Sequence, residues 1–551
     1  MTSPLARLCL TYLFLSFLFS SCKKTEQPLT PEIPPIAVSI DPSEVYLKND
    51  IAYLGQRLKV TVSNLPAGES ESLKWSVENP EIAQVTDQGV VFPAGAGETY
   101  VTATLLNGKA SGKCKIIVTD GNDYKFRLIL KDKGNSGASI GQPEKFLSSK
   151  AIERRRKRNI PIDASDLPIS AEYLEDIQKT GGVVIAKSKW LNTVTVNVSD
   201  EFIIAKYKQL PFVKDVILVW EGKRITAPSK NYVDVPQLVS SHSTETILDY
   251  GSAFDNINTN KGQALHKKGF KGAGIDIAVI DAGFIGLKGN AAFKNSNIKG
   301  AKSFVYENDD PYALDNHGIW VTSCMAVNLP GTYVGTAPEA SYWLFRTEDQ
   351  SSEYPVEEDY WVCAAEYADS AGVDIINSSL SYALYSDPGA RYKFEDMDGK
   401  TAFATRGANA AASKGILIVN SAGNDRTWVG TPADSPNVLT VGSVNRLGID
   451  QFSSWGITVD GRIKPDVLAL GGSASVININ GIGEYRSGTS FASPIICGLA
   501  ACLWQAYPKL TNKELLEVIR RSGDRAAHPE VPYGYGIADM EKAMELSNVI
   551  N

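Results

Sequence analysis

Ser490 is a candidate nucleophile because of the residues around it. It stands among small residues, and the apolar run at 495–503 behind it predicts a buried helix. A serine at a helix start lies where the helix dipole favours developing negative charge, and Gly488 and Ala492 leave room for another backbone to approach. Residues 488–490 alone are more typical of a turn or a helix cap. A base and an acid elsewhere in the chain must therefore accompany the serine before it predicts catalysis.

Two upstream stretches offer that acid and that base. Asp281 ends the continuous apolar stretch 275–281, as at the end of a buried parallel strand. His317, one of only four histidines in the chain, follows it. Aspartate, histidine and serine in this order form one of the known arrangements of a catalytic triad. With these motifs the chain resembles the subtilisin-like (S8) serine peptidases.

A fourth stretch supports the resemblance independently. Residues 416–424 predict a strand that leads into Asn424, where the family keeps the asparagine of its oxyanion hole. The resemblance implies that Ser490 attacks the peptide carbonyl, that His317 carries its proton, and that Asp281 orients the imidazole. Asn424 and the backbone N–H of Ser490 would bind the oxyanion.

The same resemblance places the substrate. The edge segment that would pair with the substrate backbone comprises Ser379, Leu380 and Ser381. The S1 pocket, which takes the side chain before the scissile bond, would be lined on one wall by Ser421, Ala422 and Gly423, with Gly430 near its base.

The sequence departs from the family pattern at three places near these motifs. Ala282 replaces a serine or threonine whose hydroxyl helps to hold the aspartate, and Ile319-Trp320 replaces threonine-histidine. Ser381 stands where glycine is usual, which is expected to narrow S1 or shift the substrate strand. None of these changes removes a reacting atom, so they are expected to alter rate and specificity.

A metal site is not predicted. Residues 328–338 resemble the loop that holds a structural calcium in many relatives, but Leu329 and Pro330 fall where a ligand-bearing asparagine is expected. Calcium is possible there but not supported, so we predict no metal and no cofactor. The seven cysteines are scattered without a zinc or disulfide pattern, and Cys497 and Cys502 are predicted to be small buried apolar residues.

The first 22 residues predict export. Arg7 precedes an apolar run at 8–19, and residues 20–22 resemble a bacterial lipobox ending at Cys22. Lipidation of Cys22 would anchor the protein to a bacterial membrane, on its periplasmic side or at the cell surface. The alternative is a plain secretory signal.

The 551 residues predict several domains, and the net charge of −7 gives no sign of a nucleic-acid partner. A linker is expected at 23–35. Residues 36–120 show short alternating strands and resemble a bacterial Ig-like domain of the Big2 type, with Trp75 as the expected core anchor. This domain is interpreted as a spacer in preference to a carbohydrate-binding module.

Residues 124–221 alternate strand and helix signals and resemble a peptidase prodomain, which templates folding and then inhibits the enzyme. Its basic run at 154–158 is predicted to be a solvated or partner-facing helix surface, not a nucleic-acid site. A polar linker at 222–249 is expected to be cut by the enzyme itself.

The catalytic domain is expected at 250–548. Apolar strands are predicted at 276–280, 341–346, 374–377, 416–420 and 438–443, with helical stretches between them. This pattern predicts an α/β fold, a subtilisin-like three-layer domain with a parallel sheet, preceded by an all-β Ig-like domain and an α+β prodomain.

The leading hypothesis is therefore a lipid-anchored serine endopeptidase made as a zymogen. Its partners would be protein or peptide substrates, its own prodomain and, through the lipid, a membrane. The alternative from another class is a catalytically silent surface or adhesion protein on the same fold. The related sedolisin branch, which uses an acid as base and an aspartate at the oxyanion position, is disfavoured by His317 and Asn424.

Overall fold

The computed structural model describes residues 34–48, 55–119, 123–222, 249–306, 309–350 and 352–550. The predicted signal segment, Cys22 and nearly all of the linker predicted at 222–249 lie outside the described residues. The chain divides into two compact units, one ending at Val118 and the other beginning at Thr119.

The N-terminal unit is built of short β-strands, as the alternating pattern predicts. Strand Gly97–Leu105 pairs antiparallel with Leu73–Val77 on one side and with Ser111–Thr119 on the other. Its alternate residues Val101, Ala103 and Leu105 point into the core, because successive side chains of a strand face opposite sides. The other strands are Ala37–Asp41, Glu44–Lys48, Gln56–Arg57, Lys59–Ser63, Ala83–Val85 and Val90–Pro93.

Trp75 does not sit at the centre of this core. It is only partly buried and packs at the core's edge, over Gly89, where an added Cβ would lie 2.4 Å from the indole ring. Val91, Val101 and Ala103 fill the centre instead. The prediction that Trp75 anchors the core was wrong because an alternating strand pattern does not show which inward position is central.

The prodomain, residues 123–222, is a four-stranded antiparallel sheet with helices on one face. The strands lie in the order Val183–Ser188, Thr193–Val198, Asp123–Leu130, Val213–Gly222. Phe126 and Leu128 point toward the prodomain's own helices, whereas Lys125 and Arg127 point toward the catalytic domain. The α-helices are Ser149–Lys157, Ala171–Thr180 and Ile204–Gln209.

The catalytic domain, residues 249–550, has an eight-stranded sheet in the described part of the chain. Seven strands run parallel, in the order Asn297–Ser303, Ser341–Arg346, Asp276–Asp281, Ile375–Ser378, Leu417–Ser421, Val438–Asn445 and Val467–Leu470. The short strand Gly448–Ile449 pairs antiparallel with Val438–Asn445.

Helices cover both faces of this sheet, so the predicted three-layer fold class is confirmed. Ile277 and Val279 point toward the face that carries helices His317–Ala326 and Thr489–Ala506. Ala278 and Ile280 point toward the opposite face, which carries Val356–Ala371 and Phe403–Ser413. The remaining α-helices are Phe254–Asn258, Gln263–Lys267, Asn512–Ser522 and Met540–Ile550.

Helix Thr489–Ala506 is long and apolar enough to cross a membrane, but 89% of its apolar window is buried inside the protein. It is the central helix of the catalytic domain. Cys497 and Cys502 lie on it as free, buried thiols, as predicted.

Candidate active site

The sheet brings Asp281 and His317 together at the carboxyl ends of its strands. Asp281 is the last residue of strand Asp276–Asp281, and His317 is the first residue of helix His317–Ala326. His317 Nδ1 lies 2.8 Å from Asp281 Oδ1, and the Asp281 side chain is fully buried. A buried carboxylate on Nδ1 fixes the imidazole so that Nε2 is free to accept a proton.

The surroundings of Asp281 show what the alanine at 282 changes. The Ala282 N–H donates to Asp281 Oδ1 at 2.8 Å, but Oδ2 is buried without a hydrogen-bond partner among the described residues. Alanine has no hydroxyl to offer it. Arg346 stabilises the turn after Asp281. Its Nε donates to the Ala282 carbonyl at 3.1 Å, and its Nη1 donates to Asp309 Oδ2 at 2.6 Å.

The environment of His317 favours its protonated form. Burial alone would lower the pKa of the imidazole, but the Asp281 carboxylate, with smaller help from Asp315 and Glu348, raises that pKa above its ordinary value of 6.5. The ring is thus a stronger base than a free histidine.

Ser490 is the second residue of helix Thr489–Ala506 and is nearly buried. Its hydroxyl donates to the Ser379 carbonyl oxygen at 3.4 Å, and the described residues show no hydrogen bond from it to His317. Catalytic hydrogen bonds are often long or misaligned before substrate binds.

Pro494 lies beyond the first turn of this helix. A proline in the first turn would leave no carbonyl without its hydrogen-bond partner, but Pro494 does. As the sixth helical residue it cannot donate to the Ser490 carbonyl one turn back. The Ser379 hydroxyl donates to that carbonyl instead, at 2.9 Å. Ser379 therefore contacts Ser490 twice and fixes the helix start against the strand-end segment.

Asn424 is oriented by the residue before the serine. The Thr489 N–H and hydroxyl lie 2.9 and 3.0 Å from Asn424 Oδ1. Since a backbone N–H can only donate, the atom that faces it must be the amide oxygen. The Nδ2 group then makes no hydrogen bond within the described part of the chain. It is available as a donor, as is the Ser490 N–H at the helix start.

One cleft of about 680 Å³ unites most of these residues. It is lined by His317, Ser490, Asn424, Ser379, Leu380, Ser381, Ser421 and Gly423. Ala422 does not line it, because its side chain is buried against Val429 and Ala433. Gly430 lies beside it, next to the Ser381 hydroxyl. Asp281 lies behind His317, outside the lining.

One wall of this cleft is acidic, which was not predicted from the sequence. Glu348, Asp349, Glu353 and Glu357 follow strand Ser341–Arg346 and line the cleft beside His317. Burial raises the pKa of Glu348 to about 8, against the opposing effect of the hydrogen bond from the Tyr382 hydroxyl. The run of acids after an apolar strand was a visible signal.

The loop that resembles a calcium site contains a tight hairpin of strands Asn328–Leu329 and Tyr333–Val334. The carbonyls of Asn328, Leu329 and Thr332 accept hydrogen bonds from the chain itself. The described residues contain no group of three histidine, cysteine or acidic side chains able to hold a metal.

Three family models match the chain. Residues 272–537 match the subtilase family (Peptidase S8). Residues 125–233 match the Peptidase S8 propeptide domain of Bacteroidota, and residues 37–127 match the bacterial Ig-like domain, group 2.

Known subtilisins are similar over much of their length. Subtilisin E of Bacillus subtilis (strain 168) is 27% identical over 387 residues, which cover 68% of this chain and 87% of that protein. Subtilisin of Bacillus pumilus is 28% identical over 300 residues, covering 52% and 98%. The structure of the MycP3 protease from the type VII (ESX-3) secretion system is 22% identical with a TM-score of 0.44, covering 53% of this chain and 88% of that one.

The family models and the similarity to subtilisins do not favour the alternative of a silent adhesion protein. The matched models and the similarity to subtilisins show that this chain carries a Peptidase S8 domain and a propeptide domain of that family, which indicates a serine endopeptidase.

Proposed function

We propose that the chain hydrolyses peptide bonds through Asp281, His317 and Ser490, with an acyl-enzyme intermediate. The observation that carries this proposal is the 2.8 Å contact between His317 Nδ1 and Asp281 Oδ1 at the edge of a cleft that Ser490 and Asn424 also line. A base, its orienting acid, a serine at a helix start and an uncommitted amide donor meet there.

In the proposed reaction the Ser490 hydroxyl turns from the Ser379 carbonyl toward His317 Nε2. His317 takes its proton while the oxygen attacks the substrate carbonyl. The Asn424 Nδ2 and the Ser490 N–H donate to the oxygen that becomes negatively charged. His317 then gives the proton to the leaving amine, and water repeats the sequence to release the acyl group. Asp281 stabilises the imidazolium throughout.

The substrate backbone would add as a strand to Ser379, Leu380 and Ser381, so that hydrogen bonds align the scissile carbonyl with Ser490. Its preceding side chain would enter the space between Ser381, Ser421 and Gly423, with Gly430 behind. This space is the proposed S1 pocket.

The test uses the purified full chain with casein and with a fluorophosphonate probe, which labels an activated serine. Ser490→Ala should abolish both labelling and hydrolysis. Ser493→Ala, three residues further along the same helix, should keep both, because its hydroxyl only bonds Asn377 Oδ1 at 2.9 Å away from the cleft. Hydrolysis at the wild-type rate by Ser490→Ala would show that the nucleophile is assigned wrongly.

We further propose that the protein is exported and held on a bacterial membrane by a lipid on Cys22. The support is the sequence at 1–22 alone, which lies outside the described residues. Growth with a labelled fatty acid should mark the wild-type chain but not Cys22→Ala. Label that persists in Cys22→Ala would refute the anchor.

Maturation is proposed to proceed by self-cleavage in the linker between residues 222 and 249. The polar sequence there supports this, and the Ig-like domain would act as a spacer between the membrane and the prodomain. N-terminal mass spectrometry of the wild type and of Ser490→Ala tests it. An active preparation that stays full length would refute it.

A further inference from the structure

The basic helix Ser149–Lys157 of the prodomain packs one side against the catalytic domain and leaves the other in solvent. The side chains of Arg154 and Arg155 are 2% exposed, whereas those of Arg156 and Lys157 are 71% and 68% exposed. One run of like charges is thus divided between an interface and the solvent.

The two buried arginines converge on Asp369, a fully buried residue of helix Val356–Ala371. Arg154 Nη2 bonds Asp369 Oδ1, and Arg155 Nη2 donates to Asp369 Oδ2 at 2.7 Å. Arg155 also reaches Asp166 of the prodomain at 3.0 Å. Lys414 of the catalytic domain completes the network at Asp166 Oδ2, at 3.1 Å.

The flanking residues extend the contact in both directions. Lys150 Nζ lies 2.7 Å from Asp374 Oδ2 and 3.1 Å from Asp276 Oδ2. Arg158 bonds the Gly415 carbonyl and stacks its guanidinium 4.1 Å from the centre of the Trp504 ring. Charge is therefore complementary: cations come mainly from the prodomain and carboxylates mainly from the catalytic domain.

Two glycines show how closely the backbones meet. Gly372 and Gly415 both have φ near +90°, and each faces the prodomain. A Cβ on Gly372 would lie 2.7 Å from Lys150 Cβ, and a Cβ on Gly415 would lie 2.7 Å from Ile160 Cδ1. Any larger residue at either glycine would be both strained and in collision.

This contact lies at the amino ends of the parallel strands, whereas the cleft lies at their carboxyl ends. Asp276 begins the strand that Asp281 ends, and five residues of strand span about 16 Å. Asp374 and Gly415 likewise precede the strands that lead to Ser379 and Ser421. A helix bound at the amino ends of the strands therefore leaves the cleft open.

We propose that this helix is a clamp that keeps the prodomain on the catalytic domain as a non-covalent subunit after the linker is cut. Loss of one partner of a buried interfacial charge pair speeds dissociation, because the other charge then stays desolvated in the complex without its partner. The prodomain sheet makes a second contact through Arg127 and Asp359, 2.8 Å apart. The clamp adds an attachment that does not compete with substrate. The proposal does not depend on which residues form the triad.

The experiment uses the full chain with Ser490→Ala and with the recognition sequence of an unrelated protease inserted between residues 223 and 248. After that protease has cut the linker, size-exclusion chromatography at low micromolar concentration shows whether the fragments co-elute. Fluorescent labels on the two fragments give the dissociation constant. Thermal unfolding of the uncut variants is measured first, so that a folding defect is not read as weak binding.

The cut parent protein should co-elute as a complex, and Arg154→Ala should raise its Kd by at least about 30-fold, the lower end for a lost buried interfacial charge. Among the described residues Arg156 forms an ion pair only with Glu153 of its own helix, so Arg156→Ala should leave the Kd within about twofold. If Arg154→Ala does not fold, Lys150→Ala replaces it in the experiment. Because the ion pair of Lys150 with Asp374 is partly exposed, its loss should raise the Kd by about fivefold.

Two results would overturn the clamp. One is separation of the cut parent protein into free fragments at low micromolar concentration. The other is a Kd for the folded Arg154→Ala or Lys150→Ala variant that equals the parent value or matches that of Arg156→Ala.

Discussion

Replacing Ser381 with glycine should enlarge the proposed S1 pocket. Ser381 is an exposed residue of the cleft, and its hydroxyl points between the two glycines expected around S1. A Cβ on Gly430 would lie 2.5 Å from Ser381 Oγ, and one on Gly423 would lie 3.5 Å from it. The hydroxymethyl group thus occupies space that a glycine would leave open to the substrate side chain.

The size of the effect follows from the atoms removed. Ser381→Gly deletes one carbon and one oxygen, and a single methylene of misfit in a pocket changes discrimination by about 10- to 200-fold. The ratio of kcat/KM for phenylalanine over alanine before the scissile bond should therefore rise by about 10- to 200-fold. Glycine also gives the segment after strand Ile375–Ser378 more backbone freedom, which costs chain entropy on folding. That cost affects both substrates alike and cancels in the ratio.

The assay compares peptide p-nitroanilides that differ only in the residue before the scissile bond, with alanine, leucine or phenylalanine there. Ser381→Ala keeps Cβ but removes the hydroxyl, so its ratio should fall between those of wild type and glycine. Ser386→Gly is the matched control, since Ser386 lines the same cleft elsewhere. A ratio for Ser381→Gly within twofold of wild type would refute the pocket assignment, as would an equal shift in Ser386→Gly.

Three further predictions concern the reacting groups. Asn424→Ala should lower kcat by about 10²- to 10³-fold with little change in KM, the range known for one oxyanion donor in a subtilisin, and a loss confined to KM would make Asn424 a binding residue. Because Asp281 raises the pKa of His317, and only neutral imidazole is a base, kcat/KM should rise with pH around a midpoint above 6.5; a midpoint below 6.5 in the pH–rate profile would contradict this. Arg346→Met should lower kcat by up to about 10²-fold, as for a 1 Å misplacement, because it frees the turn after Asp281, whereas Arg346→Lys should recover part of the rate; equal rates for both variants would refute a positioning role.

The parallel strands were predictable because they are buried on both faces and read as continuous apolar runs. The ends of these strands were less predictable, because the strand predicted at 374–377 is Ile375–Ser378 in the structure. Strand Asn297–Ser303 gave no such signal, since it is polar and lies at the sheet edge. An apolar run indicates a strand that is buried on both faces. An edge strand is less buried, so its sequence need not be apolar and does not show the strand.

The candidate site was predictable where each residue sits beside a strand end or a helix start. Asp281, His317 and Ser490 all occupy such positions. The supporting contacts were not, because they join residues far apart in sequence. Ser379 is 111 residues from Ser490 and satisfies a carbonyl that is free only because of Pro494. No local pattern shows that pairing.

The acidic face of helix Val356–Ala371 explains why the prodomain contact is built from charge. Asp359, Glu366 and Asp369 lie within one side of the helix, and each meets the prodomain: Asp359 at Arg127, Glu366 at the Ser188 hydroxyl, 2.6 Å away, and Asp369 at the buried arginines. An apolar face of this extent would leave the catalytic domain prone to aggregate whenever it was uncovered. A charged face is stable in water, and its charges fix one register of docking. The strength of the contact then rests on a few desolvated pairs, so a single substitution at Arg154 should weaken it far more than one at Arg156.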